Sequence, residues 1–153
     1  MTTKKPKPKK TIKKYKTPSY LAIDTETGGL IPGKNALLTV AFVLLDKNLN
    51  ELDHLHLKLK SNNLLIEEKA ITVNKIDITK HNIAAKTNLE AAKEFYFWIK
   101  KYFPKEPEFI KKLIPIGHNF SFDYGFIRAN FTEIDLHPYI SQNPIDTCSN
   151  VQL

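Results

Sequence analysis

Residues 22–30 read Ala22-Ile23-Asp24-Thr25-Glu26-Thr27-Gly28-Gly29-Leu30, an apolar run that turns acidic and then closes on paired glycines. The apolar start at Tyr20 predicts a strand over Tyr20 to Asp24. Residues two apart on a strand face the same side, so Asp24 and Glu26 present two carboxylates together while Thr25 points to the opposite, packed side. Two unpaired carboxylates at that spacing repel each other. A hard cation such as Mg²⁺ or Mn²⁺ removes the repulsion, and oxygen donors suit it. Gly28 and Gly29 permit a tight turn in which backbone can approach a ligand. An Asp-x-Glu alone also fits a strand end with solvated acids, so the remainder of the chain has to decide.

Working outward, Ala36 to Asp46 (ALLTVAFVLLD) is a second strand, followed by an asparagine-rich turn at Asn48 to Asn50. Leu55, Leu57 and Leu59 alternate with His56, Lys58 and Lys60, the period-2 pattern of a third strand with one wet face. Glu67 to Val73 reads as a short helix that Asn74 closes, since asparagine tolerates the left-handed conformation. Thr87 and Glu90 have capping-box spacing at the head of a helix from about Asn88 to Phe103, with Leu89, Ala92, Tyr96, Ile99 and Phe103 on one face. Pro104 ends that helix. A strand at Leu113 to Ile116, a helix at Phe120 to Asn130 and a short strand at Ile145 to Thr147 complete the pattern. Three successive strands, then helices, then strand, helix and strand predict an α/β fold with a mixed sheet whose later strands are joined by crossovers.

The second chemical segment is Gly117-His118-Asn119-Phe120-Ser121-Phe122-Asp123. A strand, a polar turn and a helix with an acid in its first turn place Asp123 near the C-terminal edge of the sheet, where α/β proteins gather ligand groups. An acid there also suits the helix dipole without further purpose. Phe122, Phe126 and Ile127 anchor the helix.

The two segments together resemble the DEDD (DnaQ-like) 3′-to-5′ exonucleases of the RNase H-like fold. Asp24 and Glu26 lie in an IDTETGGL run close to that family's D-T-E-T-x-G-L, and Gly117 to Asp123 match G-H-N-x-x-F-D, with Glu26 and Asp123 97 positions apart. Ala70 to Asp77 looks like the helix and loop that lie between these motifs, and Pro144 to Thr147 like the strand after the second. The resemblance runs from Ser19 to Leu153. It implies three antiparallel strands then parallel strands, flanked by helices, and phosphodiester hydrolysis with two Mg²⁺ or Mn²⁺ ions. Asp24 is then implied to bridge the ions, Glu26 to serve the ion holding the attacking water and Asp123 the other. Thr27, Gly28, Gly29 and Leu30 receive the terminal nucleotide, with Leu30 against its base. Asn119 and Phe122 complete the substrate-binding set, chiefly by fixing the motif's turn and packing.

The family's proofreading and trimming members imply DNA or RNA 3′ ends as substrate and a DNA polymerase as partner. Its third motif, a histidine or tyrosine base shortly before a fourth carboxylate, has no match before Leu153. The domain at 19–153 is therefore expected to be C-terminally incomplete, lacking the last helices, with the base supplied by a longer form or a complementing C-terminal fragment. The five histidines do not replace it: His118, His137, His54, His56 and His81 read as structural or exposed. Asp135 and Asp146 read as turn and strand-end acids. The alternative function is a nucleic-acid-binding or polymerase accessory module without hydrolysis, which clustered acids disfavour and the missing base favours.

The formal charge of +7 is unevenly distributed. Residues 1–18 hold Lys4, Lys5, Lys7, Lys9, Lys10, Lys13, Lys14 and Lys16 and no acid, so the remainder is close to neutral. With little to bury, 1–18 reads as a disordered basic tail that touches nucleic-acid phosphates, serves as an import signal or simply solubilises. No apolar run approaches the length that spans a bilayer, and no signal-peptide core follows the basic start. Cys148 is the single cysteine. A reducing, intracellular setting is expected, cytoplasmic or, for a eukaryotic or viral protein, nuclear.

Overall fold

The computed structural model describes residues 16–104 and 111–148. The lysine-rich stretch expected to be a tail lies outside them except for Lys16 to Pro18, as does the end of the chain from 149.

Strand β1 (Tyr20–Thr27) is the middle of a five-stranded sheet. β2 (Leu37–Leu45) pairs with it antiparallel and β3 (Glu51–Lys58) pairs antiparallel with β2. β4 (Ile114–Gly117) runs parallel to β1 on its other side, and β5 (Ile145–Asp146) runs parallel to β4. The order β3-β2-β1-β4-β5 is the mixed RNase H-like sheet that the sequence predicts. β1 is longer than expected and carries the whole Asp24 to Thr27 segment.

Leu21, Ile23, Val40, Phe42, Leu44, Leu55 and Leu57 point to one face and are buried there. Helices α3 (Asn88–Lys100) and α4 (Phe120–Asn130) cover that face with Phe95, Trp98, Ile99, Phe126 and Ile127. Each fully buried side chain of this size contributes roughly 1.5–3 kcal/mol. The capping box of Thr87 and Glu90 forms as predicted. The buried face of α3 is rotated from the predicted one: Ala91, Ala92, Phe95, Trp98 and Ile99 are buried, whereas Leu89 and Tyr96 are exposed. Apolar residues occupy most of the circumference here, so periodicity alone could not select the inward stripe.

Two short helices link β3 to α3. α1 (Glu68–Asn74) ends on Lys75, which takes the left-handed conformation at φ 56° in place of Asn74. Asn74 is instead used through its side chain, donating from Nδ2 to the Thr27 carbonyl at 3.1 Å and accepting from the Ile76 N–H. α2 (Ile78–Ala84) was not predicted; it buries His81, whose Nε2 lies 2.9 Å from the Leu59 carbonyl. Seven residues are too few for a clear helical period, which is why no helix is predicted there.

Candidate active site

The β1 pattern sets the site. Alternation sends Thr25 to the helix-covered side and Asp24 and Glu26 to the opposite, open side, where both are exposed. α4 starts immediately after β4, because Asn119 takes a left-handed turn at φ 57° and ψ 50°. Asp146 on β5 stabilises that turn: its carboxylate accepts from the N–H groups of Cys148, Asn119 and Phe120 at 2.8–2.9 Å, which lowers its pKa. The strand-end acid of the sequence reading is thus the cap of α4, and it fixes where the first turn of that helix points.

That first turn carries Asp123 to β1. Asp123 is only 4% exposed, and its Oδ1 accepts a 2.6 Å hydrogen bond from the Thr25 hydroxyl. Burial pushes the Asp123 pKa up, opposed in part by the Thr25 bond, and the Asp24 charge pushes it further up. Glu26 is raised by partial burial, then by the charges of Asp24 and Asp123. Glu26 and Asp123, 97 positions apart, therefore both sense the Asp24 charge.

This donor set fits a divalent ion in its chemistry: hard oxygen ligands, mutually repelling, at the edge of a cleft. Among the described residues no three such side chains already converge as a closed ligand cluster.

Beside the carboxylates lies a cleft of about 300 Å³, lined by Thr25, Glu26, Thr27, Gly29, Leu30 and Phe122 on one side and by Glu67, Lys69, Ala70, Val73 and Asn74 of the α1 region on the other. Leu30 is 76% and Val73 74% exposed at its rim. Of the residues expected to bind substrate, Thr27, Gly29, Leu30 and Phe122 line this cleft. Gly28 is buried and does not line it, and Asn119 sits at the turn before α4.

The glycine pair is required for packing rather than for a positive φ. A Cβ on Gly29 would stand 2.4 Å from the side chain of Asn35, and one on Gly28 would stand 2.9 Å from the Leu65 carbonyl. Asn35 is fully buried; its Oδ1 accepts from the Ile31 N–H at 2.9 Å and its Nδ2 donates to Glu67 Oε1 at 3.0 Å. It ties the glycine loop to the start of α1 and so fixes both walls of the cleft. Neither Asn35 nor the α1 wall was assigned from sequence. A buried asparagine between polar loop residues carries no periodic signal.

A profile of the exonuclease family matches residues 21–152. The chain belongs to the exonuclease family. Within it, the chain is 29% identical over 136 residues to ribonuclease T of Wigglesworthia glossinidia brevipalpis, covering 84% of this chain and 62% of that protein. It is 27% identical over 125 residues to a 3′-5′ DNA exonuclease of Escherichia coli, covering 82% and 60%. The chain thus spans about three-fifths of the length of the relatives it matches. The fold agrees with E. coli exonuclease I in complex with an oligonucleotide, at TM-score 0.58 and 18% identity over 71% of this chain and 22% of the other. Among the described residues no helix is long and apolar enough to cross a membrane.

Proposed function

We propose that this protein hydrolyses the terminal phosphodiester bond at nucleic-acid 3′ ends, one nucleotide at a time, with two Mg²⁺ or Mn²⁺ ions. The observation that carries the reading is the shared position of Glu26: it belongs to the carboxylate group and also lines the nucleotide-sized cleft. A terminal nucleotide in that cleft would lay its phosphate against Asp24 and Glu26. Relatives named ribonuclease T and 3′-5′ DNA exonuclease, and exonuclease I solved with an oligonucleotide, support a strand of DNA or RNA as the substrate.

Asp24, Glu26 and Asp123 would hold the ions. A bound ion of this kind supplies a Lewis acid for the phosphate and lowers the pKa of a water it holds. Thr25 keeps Asp123 aimed at β1. Leu30 and Val73 offer apolar contact to a base at the cleft mouth, and Thr27, pinned through Asn74 and by its own 2.7 Å bond to the Gly29 carbonyl, keeps that wall in place. For the general base, the reading invokes a histidine or tyrosine on a segment or partner laid over the open face of the sheet. A groove of about 300 Å³ lined by Ala22, Asp24, Ala41, Val43 and Ile116 supports this, since a helix seated there would reach Asp24.

The test is release of the 3′-terminal nucleotide from 3′-labelled single-stranded DNA and RNA by a form that carries such a segment. Metal-dependent release that chelation stops is the expected result. Intact label with both metals and both substrates would falsify the reading. Binding without release by that form would favour the accessory module instead.

A further inference from the structure

Glu26 borders a second cleft. On the side of β3 and α2 there is an opening of about 480 Å³ whose lining includes Glu26, Thr39, His56, Lys58, Asp77 and Lys80. The sheet register explains its composition. Glu26 pairs with Thr39 and Thr39 with Lys58; Asp24 pairs with Ala41 and Ala41 with His56. Directly opposed residues of an antiparallel ladder face the same side, so the two carboxylates, His56 and Lys58 stand on one face in two neighbouring rows. The residues between them, Thr39 and Ala41, are small. The charge therefore changes from negative to positive across two strand spacings, about 10 Å, with no bulky side chain in the way.

Lys80 on α2 forms the facing wall. Its Nζ lies 3.3 Å from Asp77 Oδ2, but both side chains are exposed, and such a pair contributes little. Among the described residues, no hydrogen bond or salt bridge engages the side chain of His56 or Lys58. His81 is committed to the Leu59 carbonyl. The same lining holds the acids Glu26 and Asp77; Asp77 is paired with Lys80, and Lys58 with His56 stands open to an anion.

We infer that this second cleft is a phosphate subsite, in which Lys58 and Lys80, with His56 at the rim, hold the nucleic-acid backbone on the 5′ side of the bond to be cut. The inference rests on the exonuclease reading and adds a direction to it. The strand runs from the α1 cleft, past Glu26, toward β3. A consequence follows for turnover. A strand of several nucleotides engages both clefts, whereas the released mononucleotide engages only the first, so the lysines favour substrate over product.

The test is equilibrium binding in Ca²⁺, which is used to hold the strand without cutting it. A 5′-fluorescein ten-nucleotide oligodeoxythymidylate is followed by anisotropy and thymidine 5′-monophosphate by calorimetry. Lys58→Ala/Lys80→Ala is compared with wild type and with Lys47→Ala in the distant β2–β3 turn, so the amino-terminal lysines contribute equally to all three. The double variant is expected to bind the decamer about tenfold more weakly and to lower the slope of log K against log salt by about 1.4, the value for two lost single-strand phosphate contacts. Its affinity for the mononucleotide should match wild type, and Lys47→Ala should match wild type on both. Unchanged decamer binding and slope in the double variant would overturn the subsite and leave the exonuclease reading standing. Equal loss of decamer and mononucleotide would also overturn it, because the effect would then lie in the first cleft or the fold. A wild-type protein that binds neither probe would remove both proposals.

Discussion

The two faces of strand β1 differ more than any two regions of the molecule. On the covered face, Ile23 stands in register with Phe42 and Leu55, and Leu21 with Leu44, all buried. On the open face, one residue along, Asp24 stands in register with Ala41 and His56, and Glu26 with Thr39 and Lys58. One face buries large apolar side chains; the other replaces them with small residues and charge. The charged face does not serve stability, since burial and the charge of Asp24 raise the proton affinity of Glu26 and Asp123. Thr25 joins the two: it points to the covered side, yet its hydroxyl holds Asp123.

On the open face the largest effect is expected at Asp24. Asp24→Ala, assayed in a form bearing the base segment, should lose 3′ release by at least about 10³-fold, roughly 4 kcal/mol of transition-state stabilisation. Its thermal midpoint should stay within a few degrees of wild type. A folded Asp24→Ala protein that still cuts would detach the open face from catalysis. On the covered face the roles reverse: Phe42→Ala should destabilise by about 3–5 kcal/mol in urea unfolding. Where it remains folded, it should bind Mn²⁺ as wild type does. Thr25→Val tests the joint between faces. Losing one hydrogen bond to a charged group, worth about 1.5 kcal/mol, should weaken Mn²⁺ binding about tenfold, and Thr25→Ser should restore most of it.

The smallest effect is on stability against pH. Because the Glu26 pKa is raised in the folded protein, its ionised form opposes folding, so the metal-free protein gains stability on acidification and loses it as pH rises through the folded value. Glu26→Gln should therefore raise the metal-free midpoint at pH 7 by about 1–2 °C, a modest figure for an exposed group screened by solvent. The difference should vanish at low pH, where Glu26 is protonated. A lower midpoint for Glu26→Gln at pH 7 would show that the carboxylate is structural instead.

Alternation made the strands legible before the fold was known, and the IDTETGGL and GHNFSFD segments brought Asp24, Glu26 and Asp123 together as one site. What sequence did not give depends on pairing between distant segments. The alternating His56 and Lys58 read as an ordinary wet face until the β1-β2-β3 register set them in line with Asp24 and Glu26. The α1 wall of the cleft beside Glu26 is held by Asn35 through single hydrogen bonds, which leave no period. Asp146 looked like a strand-end acid because its three N–H donors lie up to 27 residues away. The inward face of α3 was misassigned because Tyr96 and Phe97 are as apolar as the residues it buries, yet both are exposed.

The central claim is that three carboxylates from β1 and α4 form one divalent-metal site at the edge of the nucleotide cleft. Mn²⁺ titration of the ¹⁵N-labelled chain, read as paramagnetic broadening of its amide signals, tests it most directly. The account predicts broadening centred on residues 23–27 and 121–124 together, lost in Asp24→Asn. Broadening centred elsewhere, or confined to one of the two segments, would contradict it.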